Sequence, residues 1–265
     1  MQVRYFSNIF LNDTIKRATA DERMALARLF PSLDPITARP EMIMQSVSHA
    51  GEHAATKFLF NGKGVSYAEI LSDIASHLKV PGHVGIYSVT AHGVPCFAAI
   101  DRIHSPEGKR YTVNQKLDMV EAYLDQLEKS ILSFLLQQIY ENATAEVRIA
   151  IDSKVTQIVT KSDDYAMKGI TGGAALLGLA NASGFALYTT ASTILSTISA
   201  GTLGFGAYTA TSSLISFLIG PAGWLALGAY GVFKVGGPNK RLLLQVVVSC
   251  SLIAQRERKS KMAAT

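Results

Sequence analysis

His49-Ala50-Gly51-Glu52-His53 has the H-x-x-E-H spacing of inverted zinc peptidases. There, two histidines one helical turn apart share a face and hold the metal while the glutamate activates water. No third ligand can be identified, and Gly51 would loosen the helix that has to aim the two rings. The pattern therefore reads as two surface histidines, and no metal site is expected. Gly62-Lys63-Gly64 lacks both the G-x-x-x-x-G-K-[ST] spacing and the preceding strand of a nucleotide P-loop, so it reads as a turn feeding a helix. Cys96 and Cys250 follow neither a metal nor a redox spacing and read as small buried hydrophobes in a reducing compartment. No nucleophile with an adjacent base and no paired carboxylates stand out. The expectation is a protein that is not an enzyme, with no catalytic residues, no cofactor and no small-molecule substrate.

The elements that would carry such groups are arranged around a different feature. Between Lys168 and Lys234, from Gly169 to Phe233, the chain has no Asp, Glu, Lys, Arg or His. A soluble domain averages about a quarter charged residues, so this run is surrounded by lipid or by protein. It is built from Gly, Ala, Ser and Thr, and small residues recur every fourth position: Ala174, Gly178, Ala182 and Ala186, then Ser192, Ser196, Ala200 and Gly204. Rows of this kind let two helix backbones approach closely, as in a glycine zipper. The run divides into helices near 169–188, 190–218 and 222–235. Only the first two reach the roughly 20 residues needed to span a bilayer. Their many hydroxyls suit a hairpin that inserts conditionally or turns a polar stripe to partners.

Charge is unevenly distributed along the chain. Of the net +5, the part from Lys234 onward carries seven basic residues against Glu257. Lys240, Arg241, Arg256, Arg258, Lys259 and Lys261 are the candidates for anionic lipid head groups, which attract such clusters beside an apolar run. The same cluster favours the cytoplasmic side of a membrane. No aromatic residue stands among them to stack on bases, so no nucleic-acid partner is expected. The N-terminal residues lack the pattern of a cleaved signal peptide, and the expected location is the cytoplasm or the inner face of the cytoplasmic membrane.

The remainder reads as helices with legible starts. Thr19-x-x-Glu22, Ser66-x-x-Glu69 and Thr112-x-x-Gln115 are three capping boxes. One or two short helices precede Pro40, and another helical pattern runs from Met42 to Phe60. After Ser66, Ile70, Leu71, Ile74 and Leu78 form one stripe ending at Val80-Pro81-Gly82. Val84–Val89 and Cys96–Ile100 read as short strands of a β-hairpin near 84–111. Leu117, Val120, Leu124, Leu127, Ile131 and Phe134 make a heptad seam. Its partner is a neighbouring helix, Thr144–Thr160 being the expected one, or a second copy in a homo-oligomer. The final helix, Arg241–Arg256 with Asn239 as N-cap, is apolar almost all round and too short to span. It reads as a core helix or as an interfacial one.

The run Phe60-Asn61-Gly62-Lys63-Gly64-Val65-Ser66-Tyr67-Ala68-Glu69-Ile70-Leu71-Ser72-Asp73-Ile74 resembles the central segment of the YaaW-like family of bacterial proteins. Gly220-Pro221-Ala222-Gly223-Trp224 is similar to that family's Gly-Pro-x-Gly-Trp turn, and Lys240–Arg256 to its C-terminal helix. The resemblance implies a helical, membrane-associated protein without assigned catalytic residues. Some such proteins are grouped with assembly chaperones of the respiratory cytochrome complex. The 84–111 segment departs from the pattern.

The expected architecture is mainly α. A soluble helical domain spans 1–165 with the β-hairpin insertion, and a glycine-rich hydrophobic helical region with a basic C-terminal helix spans 166–265. The expected function is membrane association through the glycine-rich hairpin, as a regulator or as a membrane-perturbing, pore-type effector. Gly178, Ala182, Ser196, Ala200, Gly204, Gly220, Pro221 and Trp224 are the expected packing residues. The alternative is a soluble chaperone-like or protein-interaction module with the run as its buried core.

Overall fold

A computed structural model describes residues 2–51, 65–81, 111–161 and 238–263. The described residues are mainly helical, in seven helices: α1 (Gln2–Arg17), α2 (Ala20–Arg28), α3 (Pro40–Ala50), α4 (Tyr67–Leu78), α5 (Val113–Asn142), α6 (Ala145–Lys161) and α7 (Pro238–Ala263). The β-hairpin, the Gly62-Lys63-Gly64 turn, Glu52, His53, Cys96 and the whole uncharged run lie outside the described residues.

Each start signal has a physical counterpart. The Thr19 hydroxyl accepts from the Glu22 N–H at 3.2 Å, while Glu22 Oε2 accepts from the Thr19 N–H at 2.7 Å. Ser66 and Glu69 close the same reciprocal pair at α4, and Thr112 and Gln115 at α5. Each box satisfies two of the backbone donors that a helix start leaves unpaired. Pro40 opens α3, where a missing N–H costs nothing. At the end of α1 the Ala18 N–H donates to the Thr14 and Ile15 carbonyls at 3.1 and 3.3 Å. A guanidinium N–H of Arg23, on α2, donates to the Ala18 carbonyl and joins the two helices across a two-residue turn.

The end of α4 is a Schellman motif. The Val80 N–H donates to the Ala75 carbonyl at 3.0 Å and the Lys79 N–H to the Ser76 carbonyl at 3.2 Å. Lys79 is held at φ 56°, ψ 43°, the left-handed region that usually selects glycine. Val80 is buried directly behind it, so packing holds the strained residue in place.

Helix α5 is the longest of the described helices, about 45 Å at 1.5 Å per residue. Val120, Leu124, Leu127 and Ile131 of the seam are buried, and Leu117 and Phe134 are partly so. The seam faces α1, α4 and α7. Among the described residues, its main partners are thus these three helices, where the sequence pointed to the helix after Asn142. Helix α6 is tied to α5 at the turn, where Arg148 donates to the carbonyls of Ala143 and Glu141 and the Tyr140 hydroxyl reaches Asp152 at 3.0 Å. Of the apolar stripe Val147, Ile151, Val155 and Ile158 on α6, Ile151 is fully buried in the core, and the other three side chains lie outside the described residues.

Helix α7 begins at Pro238, which places Asn239 inside the first turn rather than at the cap. It packs on α1, α3, α4 and α5. Leu243, Leu244, Val246, Val247 and every residue from Ser249 to Ala254 are buried, so the helix is covered on all sides. Of the two readings open for the final helix, core and interfacial, the described part is a core helix.

The end of α3 lies close against the residues that lead into α4. Ser48 donates its hydroxyl to the Val65 carbonyl at 2.8 Å and accepts the Val65 N–H on its own carbonyl at 3.2 Å. Gly51 follows in ordinary helical conformation, φ −71°, so its requirement is space. A methyl group there would stand 2.2 Å from Val65 Cγ2 and 2.9 Å from Ile70 Cγ1. Gly51→Ala is therefore expected to lower stability by about 1–2 kcal/mol through overpacking, seen as a lower urea midpoint with an unchanged slope. Lys79→Gly should act in the opposite direction, raising stability by about 1 kcal/mol in the same titration because glycine carries no left-handed strain.

Candidate functional site

Along α7, ionisable groups of the described residues gather at two places. One is a fully enclosed centre where α4, α5 and α7 join. Tyr67, the first residue of α4, is buried with its ring stacked on Phe10 of α1, at 6.4 Å between centroids and 18° between planes. Its backbone N–H donates to Asn8 Oδ1 at 3.3 Å. Capping at Ser66 fixes where α4 starts and so aims the Tyr67 side chain inward. Its hydroxyl donates to Glu128 Oε1 of α5 at 2.7 Å, and both side chains are sealed from solvent. Glu128 Oε2 has no hydrogen-bond partner among the described residues. The Cys250 thiol of α7 interacts with both groups and is itself fully buried.

Burial dominates the electrostatics of this centre. It pushes the Glu128 carboxyl up to about 8, against the opposing pull of the Tyr67 hydroxyl and the Lys129 ammonium. Burial likewise raises Tyr67 well above the usual phenol range, and the neighbouring Glu128 and Cys250 raise it further. Burial raises the Cys250 thiol, with Glu128 adding to the effect. Half-buried Lys129 is lowered by desolvation, with Glu128 acting the other way, and its ammonium is 2.9 Å from Asp125 Oδ2. At neutral pH the centre is thus an acid, a phenol and a thiol, each holding its proton. An ionised carboxylate in the same place would be a buried charge without a full set of partners, which is costly. The arrangement stores protons and offers no open face to a substrate. A separate cleft of about 90 Å³ lies between α1 and α5, bordered by Asp13, Arg17, Leu117 and Glu121. It is well below the several hundred Å³ of an ordinary small-molecule pocket.

The second place is a pair of ties at the ends of α7. Near its start, Lys240 Nζ lies 3.1 Å from His77 Nδ1 and 3.9 Å from Asp73 Oδ2, both on α4. Near its end, Arg256 Nη1 donates to both oxygens of Glu22 at 2.5 Å, and its Nη2 donates to the Arg17 carbonyl at 3.1 Å. Glu22 is fully buried and Arg256 mostly so. The carboxylate that closes the capping box of α2 is therefore also the counter-ion of α7.

The sequence-selected residues fall out as follows. Lys240 and Arg256, expected at lipid head groups, are engaged inside the fold, at opposite ends of α7. Arg241, Arg258, Lys259 and Lys261 belong to the same helix, and their side chains lie outside the described residues. Gly178, Ala182, Ser196, Ala200, Gly204, Gly220, Pro221 and Trp224 also lie outside them. His49 is exposed in the last turn of α3. Among the described residues no group of three or more His, Cys, Asp or Glu side chains is placed to hold a metal ion. Cys250 is buried as expected, but sequence reasoning missed Tyr67 and Glu128. The signal for Glu128 was its register, four residues after Leu124 and three before Ile131, which puts a carboxyl on the inner face of α5. Tyr67 gave no such signal, because a tyrosine at a helix start is ordinary.

The Glu22–Arg256 tie yields a test. Removing one partner of a buried pair leaves the other uncompensated, so Arg256→Met is expected to cost about 3 kcal/mol in urea unfolding. Adding Glu22→Gln to that variant should recover part of the loss, because the stranded charge is then gone. No protein-family model, no curated protein and no solved structure matches this chain.

Proposed function

We propose that this chain is a non-enzymatic, membrane-associated helical protein, in which the described helices form a body that carries the uncharged run of 169–233. The observation that carries this reading is the run itself, sixty-five residues without an Asp, Glu, Lys, Arg or His. It lies between α6 and α7, and α7 is fastened to the body at both ends by Lys240 and Arg256. A segment attached through a locked core helix can transmit force or position to the body. No helix among the described residues is long and apolar enough to cross a membrane, so the membrane contact is assigned to the run. Close packing along Gly178, Ala182, Ser196, Ala200 and Gly204, with the turn at Gly220, Pro221 and Trp224, would assemble it into a hairpin. Arg241, Arg258, Lys259 and Lys261 supply the positive charge for anionic head groups. The resemblance to the YaaW-like family points the same way, and the inner face of the cytoplasmic membrane is the proposed location.

One observation favours a second reading. The middle of α7, residues 242–255, carries no charged residue and is mostly buried in protein, so this chain does use an uncharged helical stretch as core. By that logic the run is the core of a soluble chaperone-like or protein-interaction module, which could be a homo-oligomer.

Liposome flotation separates the two. The intact chain is expected to float with anionic vesicles and to resist a salt wash, whereas a variant lacking 169–235 stays at the bottom. An intact chain that remains below the gradient as a compact particle overturns the membrane reading and selects the soluble one.

A further inference from the structure

The proton-holding centre is unused by the function proposed above, and it lies where α7 seats on the body. Its walls are unequal. On the α4 side, the Tyr67 hydroxyl is bonded to Glu128 Oε1 at 2.7 Å, with Phe10 and Asn8 of α1 holding Tyr67 from behind. On the α5 side, Lys129 follows Glu128 and is paired with Asp125. On the α7 side stands the Cys250 thiol, a weak donor. Glu128 Oε2 is buried without a hydrogen-bond partner among the described residues. We propose that Glu128 is a proton-operated latch for α7: as a neutral acid it lets α7 seat against α4 and α5, and on losing its proton it drives α7 off the centre.

The physical argument is one of unequal response. When the carboxyl ionises, its bond from Tyr67 becomes charge-assisted and stronger, so α4 and α5 stay together. The second oxygen then needs a strong donor, and the thiol on the α7 side is only a weak one. Water can reach it only if the wall that contributes least gives way, and that wall is α7. The direction with pH follows from linkage. The seated state holds the Glu128 proton up to about 8, against an ordinary value of 4.5. Seating therefore takes up a proton within that window. It is at full strength below the window and is lost as pH rises through it.

The latch does not depend on the membrane reading, and its test uses the full chain in solution. In a Cys96→Ser background, Cys250 is alkylated with iodoacetamide and its rate is divided by that of free cysteine at the same pH, which leaves the opening equilibrium. The relative rate is expected to rise at least about tenfold between about pH 6 and about pH 8. Glu128→Gln, which cannot ionise, should show a flat relative rate over the same range. A flat rate in the parent, or equal rises in parent and variant, overturns the latch. Tyr67→Phe provides a check that does not require the glutamine variant to fold. It removes the hydroxyl that favours the ionised form, so the rise should move to higher pH, and a rise at unchanged pH overturns the proposal.

Discussion

Helix α7 has no solvent side in its middle, and the arrangement of the other helices follows from that constraint. A helix covered all round must leave no unpaired charge against its surface, because desolvating one costs several kcal/mol. The fold meets this requirement differently along α7. In the middle, Glu128 and Cys250 are kept neutral by burial itself. At Ser249, the hydroxyl turns back onto the Gln245 carbonyl of its own helix at 2.8 Å. Toward the ends, where water is closer, charge is admitted but paired, Lys240 with α4 and Arg256 with α2.

The pairing at Glu22 shows how local and tertiary requirements share one side chain. As the third residue of α2, Glu22 completes a capping box that the local sequence specifies by itself. Its carboxylate has lone pairs to spare, and Arg256, 234 positions further along the chain, takes them. Losing that carboxylate would therefore disturb both the start of α2 and the seating of α7. The Tyr67–Glu128 pair works in the same way. The Ser66 cap sets the position of Tyr67, and a hydrogen bond spanning 61 positions fixes α4 against α5.

Basic residues next to an apolar run are a natural lipid-facing pattern, yet two of the six here serve the body instead. Local charge density does not distinguish an exposed cation from one that meets a carboxylate contributed by a distant helix. The distinction depends on which elements are neighbours. Exposed Ile149 on α6 makes the converse point, since its apolar character did not lead to burial.

What the sequence determined was local. The three capping boxes, the proline that opens α3, the stop after Leu78, the apolar stripe of α4 and the buried face of α5 all follow from interactions within a few residues, and all are present in the fold. The mainly α character followed from the same signals. What only the tertiary structure decided was which faces meet: that the α5 seam packs on α1, α4 and α7, that the described part of the final helix is core rather than interfacial, and that Lys240 and Arg256 are spent internally. The periodicity of a helix states which face is apolar but carries no address for its partner. Burial of Glu128, and with it the retention of its proton, needs walls from three helices that are far apart in the chain, so it exists only once they are brought together.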